Sequence, residues 1–329
     1  MEEKRNIYDL IQNEIGSSAF SDAEKAERIE RLERFRNNRL NVMFVGATGS
    51  GKSSTINALF DMEKAKVGTG VNPETDSFES YELGNLVVWD TPGLGDSPEK
   101  DRKIIKLIGE KLKEKTSDGT ALIDMVIVVI DASQKDLGTV YQCINRALIP
   151  SIGEGADKRI ILALNQCDMA MKGTHWINEL NCPDDILRDF LERKADAVME
   201  RVKESTGIIF RPVCYCAGYK EADGEQRKPY NLAKLLYSIS MSTPKEKRLV
   251  FVETINPDQE NWQTDDGLED YKGEFQRDFW ESVSDTLGEW ADEGFALGST
   301  VLGVPGGIVG GILGGIAGAV SGAIGFLFG

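Results

Sequence analysis

Gly46-Ala47-Thr48-Gly49-Ser50-Gly51-Lys52-Ser53 is the stretch that decides the fold. It fits G-x-x-x-x-G-K-[ST], a phosphate-binding loop. Glycine permits the turn angles with which successive backbone N–H groups wrap a polyphosphate. Lys52 is expected to reach the terminal phosphates, and the Ser53 hydroxyl to ligate Mg²⁺. The flanks agree. Asn41-Val42-Met43-Phe44-Val45 reads as a buried strand before the loop. Ser54-Thr55-Ile56-Asn57-Ala58-Leu59-Phe60 reads as the first turns of a helix after it.

A second phosphate motif follows in order. The short apolar strand Leu86-Val87-Val88-Trp89 runs into Asp90-Thr91-Pro92-Gly93, with Asp90 38 residues after Lys52. An aspartate at a strand end is placed to hold Mg²⁺ through water, and the Gly93 N–H is free to meet a γ-phosphate. A third motif follows the strand Ile160-Ile161-Leu162-Ala163-Leu164, as Asn165-Gln166-Cys167-Asp168. A carboxylate here accepts two hydrogen bonds from the N1–H and N2–H₂ edge of guanine, an edge that adenine lacks. Asn165 would brace the loop. Gln166 stands where N-K-x-D has lysine, which removes an ammonium but keeps an aliphatic stem to lie on the base.

These motifs, in this order, resemble the translation-factor-related GTPases of the TrmE, Era, EngA and septin group, and within it the bacterial YfjP-like GTPases. The resemblance covers residues 40–240. It implies a Ras-like α/β fold, a doubly wound and mostly parallel sheet, that binds GTP or GDP with Mg²⁺ and hydrolyses GTP. The strand Arg211-Pro212-Val213-Cys214-Tyr215 and the following Cys216-Ala217 resemble the last guanine-binding loop, where the Ala217 N–H would meet guanine O6. The nucleotide-binding set is then Gly46 through Ser54, Asp90, Gly93, Asn165, Gln166, Asp168, Cys216 and Ala217. Lys52, Thr75 and Gly93 are the catalytic candidates. Ser53, Thr75 and Asp90 are the metal candidates. Thr75, in Asn72-Pro73-Glu74-Thr75, stands for the first-switch threonine that closes on Mg²⁺, with Thr69 as its rival.

Two departures carry consequences. Ras-type enzymes place a water-orienting glutamine directly after D-x-x-G, and here Leu94 occupies that position. Leucine neither donates nor accepts a hydrogen bond. Water must be positioned by another group, from a partner or a second copy, so intrinsic turnover is expected to be slow. Era- and TrmE-like loops often carry a K⁺-binding asparagine, where this chain has Gly49. Potassium activation is not expected.

The 329 residues carry a net charge of −16. That charge opposes non-specific nucleic-acid binding, and no basic patch follows the GTPase region. Five cysteines are too few and scattered for a disulfide framework, and reduced thiols are expected. Cys214-x-Cys216 reads as one sulfur in and one out. His175 is the only histidine, and no metal site is built on it. The charged N-terminus Met1-Glu2-Glu3-Lys4-Arg5 lacks the apolar run of a secretory signal. A cytoplasmic location follows as an expectation, with contact to the inner membrane through the C-terminus.

Four regions are expected. Residues 1–38 form a helical extension, with Ile7, Leu10, Ile11 and Ile15 at helical spacing. Ser21-Asp22-Ala23-Glu24 then makes a capping box ahead of Ile29, Leu32 and Phe35. Residues 39–244 form the GTPase domain, with Leu122 to Ile130 as its central strand. Residues 245–295 form an acidic amphipathic region. Between positions 253 and 293 stand 14 Asp or Glu against only Lys272 and Arg277, while Phe275, Phe279, Val283, Leu287 and Trp290 share one helical face. Residues 296–329 form a glycine zipper. Gly303, Gly307, Gly311 and Gly315 repeat every four residues, as do Gly306, Gly310, Gly314, Gly318 and Gly322, in an uncharged tail. Small residues on one face let helices approach closely in lipid, so residues 301–328 are expected to enter a membrane or to self-associate. The alternative is a soluble Era-like GTPase acting on the ribosome or RNA.

Overall fold

The computed structural model describes residues 11–13, 15, 16, 18, 20–67, 78–220 and 226–287. Helix α1 (Asp22–Asn37) opens with the expected capping box. Ser21 N–H donates to Glu24 Oε2 at 2.8 Å, and Glu24 N–H donates to Ser21 Oγ at 3.4 Å. Strand β1 (Leu40–Gly46) is buried along its whole length and leads through the glycine loop into α2 (Lys52–Leu59). Then come β2 (Lys66–Val67), β3 (Glu79–Leu83), β4 (Leu86–Asp90) and α3 (Pro98–Lys113). Strand β5 (Met125–Asp131) precedes α4 (Gly138–Cys143), which a π-helical turn continues into α5 (Ile149–Ile152); α6 (Ala156–Arg159) runs into β6 (Ile160–Asn165). The second half holds the hairpin β7 (Trp176–Ile177) and β8 (Cys182–Pro183), α7 (Asp185–Thr206), β9 (Val213–Cys214), the hairpin β10 (Tyr219–Lys220) and β11 (Gln226–Arg227), α8 (Leu232–Ser242), α9 (Leu249–Thr254) and α10 (Tyr271–Leu287).

One sheet has the order β2-β3-β4-β1-β5-β6-β9. Strands β4, β1, β5, β6 and β9 run parallel, and β2 and β3 are antiparallel additions at one edge. Alternate residues of the central strands feed opposite cores. Val42 and Phe44 of β1 pack with α1, α2, α8, α9 and α10, whereas Met43 and Val45 pack with α3, α4 and α7. A parallel sheet apolar on both faces needs this double cover. The architecture is the Ras-like doubly wound sheet read from the sequence.

The N-terminal extension is part of that body. Ile11, Ile15, Leu32 and Phe35 share one core with Trp262, Phe275 and Phe279 and with the sheet residues. Helix α10 lies against α8 and turns Phe275 and Phe279 inward, both 1% exposed. The acidic amphipathic helix therefore docks on the GTPase domain. Ile7, Leu10, Trp290 and the glycine-zipper residues 296–329 lie outside the described residues. Among the described residues no helix is long and apolar enough to cross a membrane.

Three local expectations change. The central strand starts at Met125 rather than Leu122, because the Leu122 N–H bonds Glu114 O at 2.9 Å in the preceding turn. The polar stretch 218–228, which by composition reads only as a surface loop, holds the small β10–β11 hairpin. Cys214 and Cys216 do not point opposite ways. Positions i and i+2 of a strand share a face, and both face the α7 side while Tyr215 faces the other core. All five cysteines are free.

Candidate functional site

The phosphate loop joins the C-terminal end of β1 to α2. Gly46 has no room for a side chain, since a Cβ there would lie 2.3 Å from Val129 O. Gly49 and Gly51 take left-handed φ values of 78° and 87°, which glycine adopts without strain. Lys52 is only 8% exposed. Its Nζ donates to Gly46 O at 3.2 Å and Ala47 O at 3.3 Å, folding the side chain back over the loop. Burial lowers the Lys52 amine below the ordinary lysine value, and the nearby Asp90 carboxylate opposes that shift.

Across the loop stands the end of β4. Ser53 Oγ donates to Asp90 Oδ2 at 3.0 Å. Asp90 Oδ1, Thr91 Oγ1 and Ser50 Oγ are buried here without a hydrogen-bond partner among the described residues. Burial raises the Asp90 carboxyl above the usual aspartate range, against the Ser53 hydrogen bond and the Lys52 charge. Paired hydroxyl and carboxylate oxygens, one of them unpartnered, suit a hard divalent cation.

The loop after β4 closes onto the phosphate loop. Thr48 N–H donates to Leu94 O at 2.7 Å, and Leu94 N–H donates to Gly46 O at 3.1 Å. Gly93 is forced by this approach, because a Cβ would lie 2.7 Å from Thr48 Cα. The Leu94 side chain is fully buried among the residues under α3. It therefore has no access to a water at the phosphates. Thr75 and Thr69 lie outside the described residues.

The base side is built from β6, β9 and the loops that follow them. Asn165 Nδ2 donates to Ser50 O at 3.0 Å, and its Oδ1 accepts from the Ala217 N–H at 3.0 Å. One side chain thus ties the phosphate loop to the last loop. Gln166 has a left-handed φ of 60°, and its Nε2 donates to Gly49 O at 2.6 Å. The glutamine braces the phosphate loop, a contact the sequence reading did not anticipate. Asp168 lines a cavity of about 300 Å³ together with Gly51, Ser54, Gln166, Met169 and Tyr219. Cys216 Sγ donates to Asp168 Oδ1 at 3.2 Å and accepts from the Asp168 N–H at 3.3 Å. Burial raises the Cys216 thiol above its ordinary value, so it serves as a neutral donor to the carboxylate.

Ala217, expected to meet guanine O6, lines the same cavity. Its N–H is engaged by Asn165 and does not face the cavity freely. The next amide, Gly218, also lines the cavity, and no described residue accepts from it. Met169 and Tyr219, 44% and 41% exposed at the mouth, escaped the sequence reading because only folding brings their loops together. His175 lies off the site. Its Nδ1 pairs with Asp184 Oδ2 at 2.8 Å, and Asp184 caps α7 through the Leu187 N–H.

Residues 41–166 match the family model described as 50S ribosome-binding GTPase. This segment carries a GTP-binding P-loop GTPase domain. Solved structures with similar folds include Toc33 from Arabidopsis thaliana in complex with Mg²⁺ and GMPPNP. Identity there is 18% and the TM-score 0.42, over 70% of this chain and 96% of that one. Another is the G domain of the T. maritima FeoB iron transporter, at 19% identity and TM-score 0.33, over 62% of this chain and 99% of that one.

Proposed function

We propose that this protein is a GTP switch that hydrolyses GTP to GDP and phosphate, and whose nucleotide state controls engagement of its C-terminal segment with a membrane or with other copies. The observation that carries the nucleotide half is the convergence of three loops at one end of the sheet, tied together by Asn165, Gln166 and the Ser53–Asp90 pair. Backbone N–H groups of residues 47–53 and the Lys52 ammonium would bind the phosphates. Ser53 and Asp90 would hold Mg²⁺, with Thr75 closing from the first switch. When bound, Mg²⁺ neutralises charge on the phosphate oxygens. Asp168 would read the guanine edge, with Cys216 orienting its carboxylate. The Gly218 N–H is the better candidate for guanine O6 than Ala217.

Leu94 has no polar group to orient water, so a polar group from a partner or a second copy would complete the site. Support for the C-terminal half comes from the docking of α10 on the GTPase domain, directly ahead of the glycine-zipper stretch. The test is calorimetry of GTP, GDP and ATP, followed by membrane fractionation of the full chain with each guanine nucleotide. ATP binding as tight as GTP binding overturns the first half. Identical fractionation in all states overturns the second. The description of the matching family model favours a second reading, a GTPase acting on ribosome or RNA. The net charge of −16 opposes it.

A further inference from the structure

Helix α2 carries Lys52 and Ser53 in its first turn and has no side-chain cap of its own. Its N-cap is Gly51, and Phe60 after its end is extended. The last carbonyls of a helix lack partners inside it. Here they are met by a segment far away in sequence. Asn256 Nδ2 donates to Asn57 O at 2.8 Å, Asn261 Nδ2 to Ala58 O at 3.2 Å, and Asn256 N–H to Leu59 O at 2.9 Å. Beside them Phe60 bridges Ile255, and Asp61 N–H donates to Thr254 O at 2.9 Å. Trp262, 1% exposed, locks this arm by donating its indole N–H to Asn256 O at 3.0 Å.

The same arm grips the base side. Thr264 O accepts from the Asn231 N–H at 2.9 Å, and Asp266 N–H donates to Asn231 Oδ1 at 2.7 Å. Asn231 Nδ2 donates to Cys214 O at 2.9 Å, two residues before Cys216. Asp266 then pairs with Lys234 at 2.7 Å and accepts from the Tyr271 hydroxyl at 2.9 Å. Tyr271 opens α10. One arm thus joins the far end of the phosphate helix and the strand beneath the guanine loop to the start of the C-terminal helix.

We infer that Asn256 and Asn261 are positioning residues for nucleotide binding, and that this arm couples nucleotide occupancy to the docking of α10. It rests on the proposed GTP site. A helix of eight residues spans about 12 Å and moves as a unit, so holding its C-terminal carbonyls sets where Lys52 and Ser53 stand. Coupling is reciprocal: an arm that favours nucleotide binding is itself ordered by nucleotide.

The test uses the full chain. GDP affinity is measured with a fluorescent guanine nucleotide, and hydrogen exchange over residues 254–262 and 271–287 is followed with and without GDP. Wild type should show slower exchange in both segments when GDP is bound. The double variant Asn256→Ala/Asn261→Ala should bind GDP about tenfold more weakly, within the usual range of coupling, and lose that GDP-dependent slowing. Asn256→Asp keeps the size and removes the side-chain donor, so it should reproduce part of the loss without a cavity. Leu268→Ala, on the exposed face of the same arm, should match wild type. The inference is overturned if the double variant melts earlier yet binds GDP as wild type does, since that is a purely structural role. It is also overturned if GDP leaves exchange in the wild-type arm unchanged. A wild-type chain that binds no guanine nucleotide overturns the GTP reading as well, which separates the two failures.

Discussion

Ser53 Oγ and Asp90 Oδ2 stand 3.0 Å apart, joining the first turn of the phosphate helix to the end of β4. The other Asp90 oxygen is buried without a partner among the described residues. An unpartnered buried carboxylate oxygen is costly, and a cation would relieve it. Asp90→Ala should therefore raise the Mg²⁺ concentration needed for tight GTP binding by about tenfold or more, the scale of losing a charge-assisted contact. Nucleotide titrations at graded Mg²⁺ check this. An unchanged Mg²⁺ requirement would show that Asp90 does not serve the metal.

Asp168 lines the cavity proposed to take the base. Asp168→Asn replaces an acceptor pair with one acceptor and one donor. Guanine nucleotides should bind roughly ten- to a hundredfold more weakly, as for other lost hydrogen bonds to a charged group. Xanthine nucleotides, whose 2-oxo group needs a donor, should gain in relative affinity. Competition between GDP and XDP measures the ratio directly.

Leu94 tests whether a glutamine at this position can rescue hydrolysis. Its side chain is 0% exposed in the core below α3. Leu94→Gln should not raise turnover, because the amide would be buried away from the phosphates. It should cost about 1–3 kcal/mol through the unpaired amide. Leu94→Ala should cost about 2–5 kcal/mol through the cavity. Denaturant unfolding and single-turnover hydrolysis report the two effects separately. A faster Leu94→Gln enzyme would show that the loop after β4 swings this side chain out.

Gly93 and Thr48 meet too closely for any side chain. Gly93→Ala should push the loop away from Thr48 and break the Thr48 N–H to Leu94 O bond. GTP affinity should fall more than GDP affinity, since Gly93 is the residue expected to meet the γ-phosphate. Equal losses for the two nucleotides would assign the effect to general loosening of the loop.

Residues 301–328 carry the prediction farthest from the described structure. Replacing Gly310, Gly314 and Gly318 with leucine adds apolar area and blocks close helix approach. Membrane partitioning should strengthen while assembly and any activity that depends on it fail. A triple variant that stays soluble, with unchanged oligomeric state and turnover, would sink the zipper reading.

The three nucleotide motifs were legible because each is a local pattern with a local mechanism. Glycine spacing in 46–51, an aspartate at a strand end and an apolar run before Asn165 need no knowledge of distant contacts. The two-faced sheet was legible for the same reason, since continuous apolar runs such as Met125–Ile130 suit only a strand covered on both sides. The capping box at Ser21 is likewise contained within four residues.

Other features depended on which segments meet in space. Gln166 reaching Gly49 O, Asn165 taking the Ala217 N–H, and Asn256 and Asn261 holding the end of α2 join residues from 52 to more than 200 positions apart. No periodicity encodes such pairs. The pairing of Cys214 and Cys216 on one face follows from strand geometry, yet which core they enter follows from the sheet's neighbours. The sequence by itself determined the motif pattern of the loops and the period of each element, because those are set within a few residues. The tertiary structure alone decided which amides and carbonyls are already engaged, because a hydrogen bond between distant residues exists only once the chain has folded.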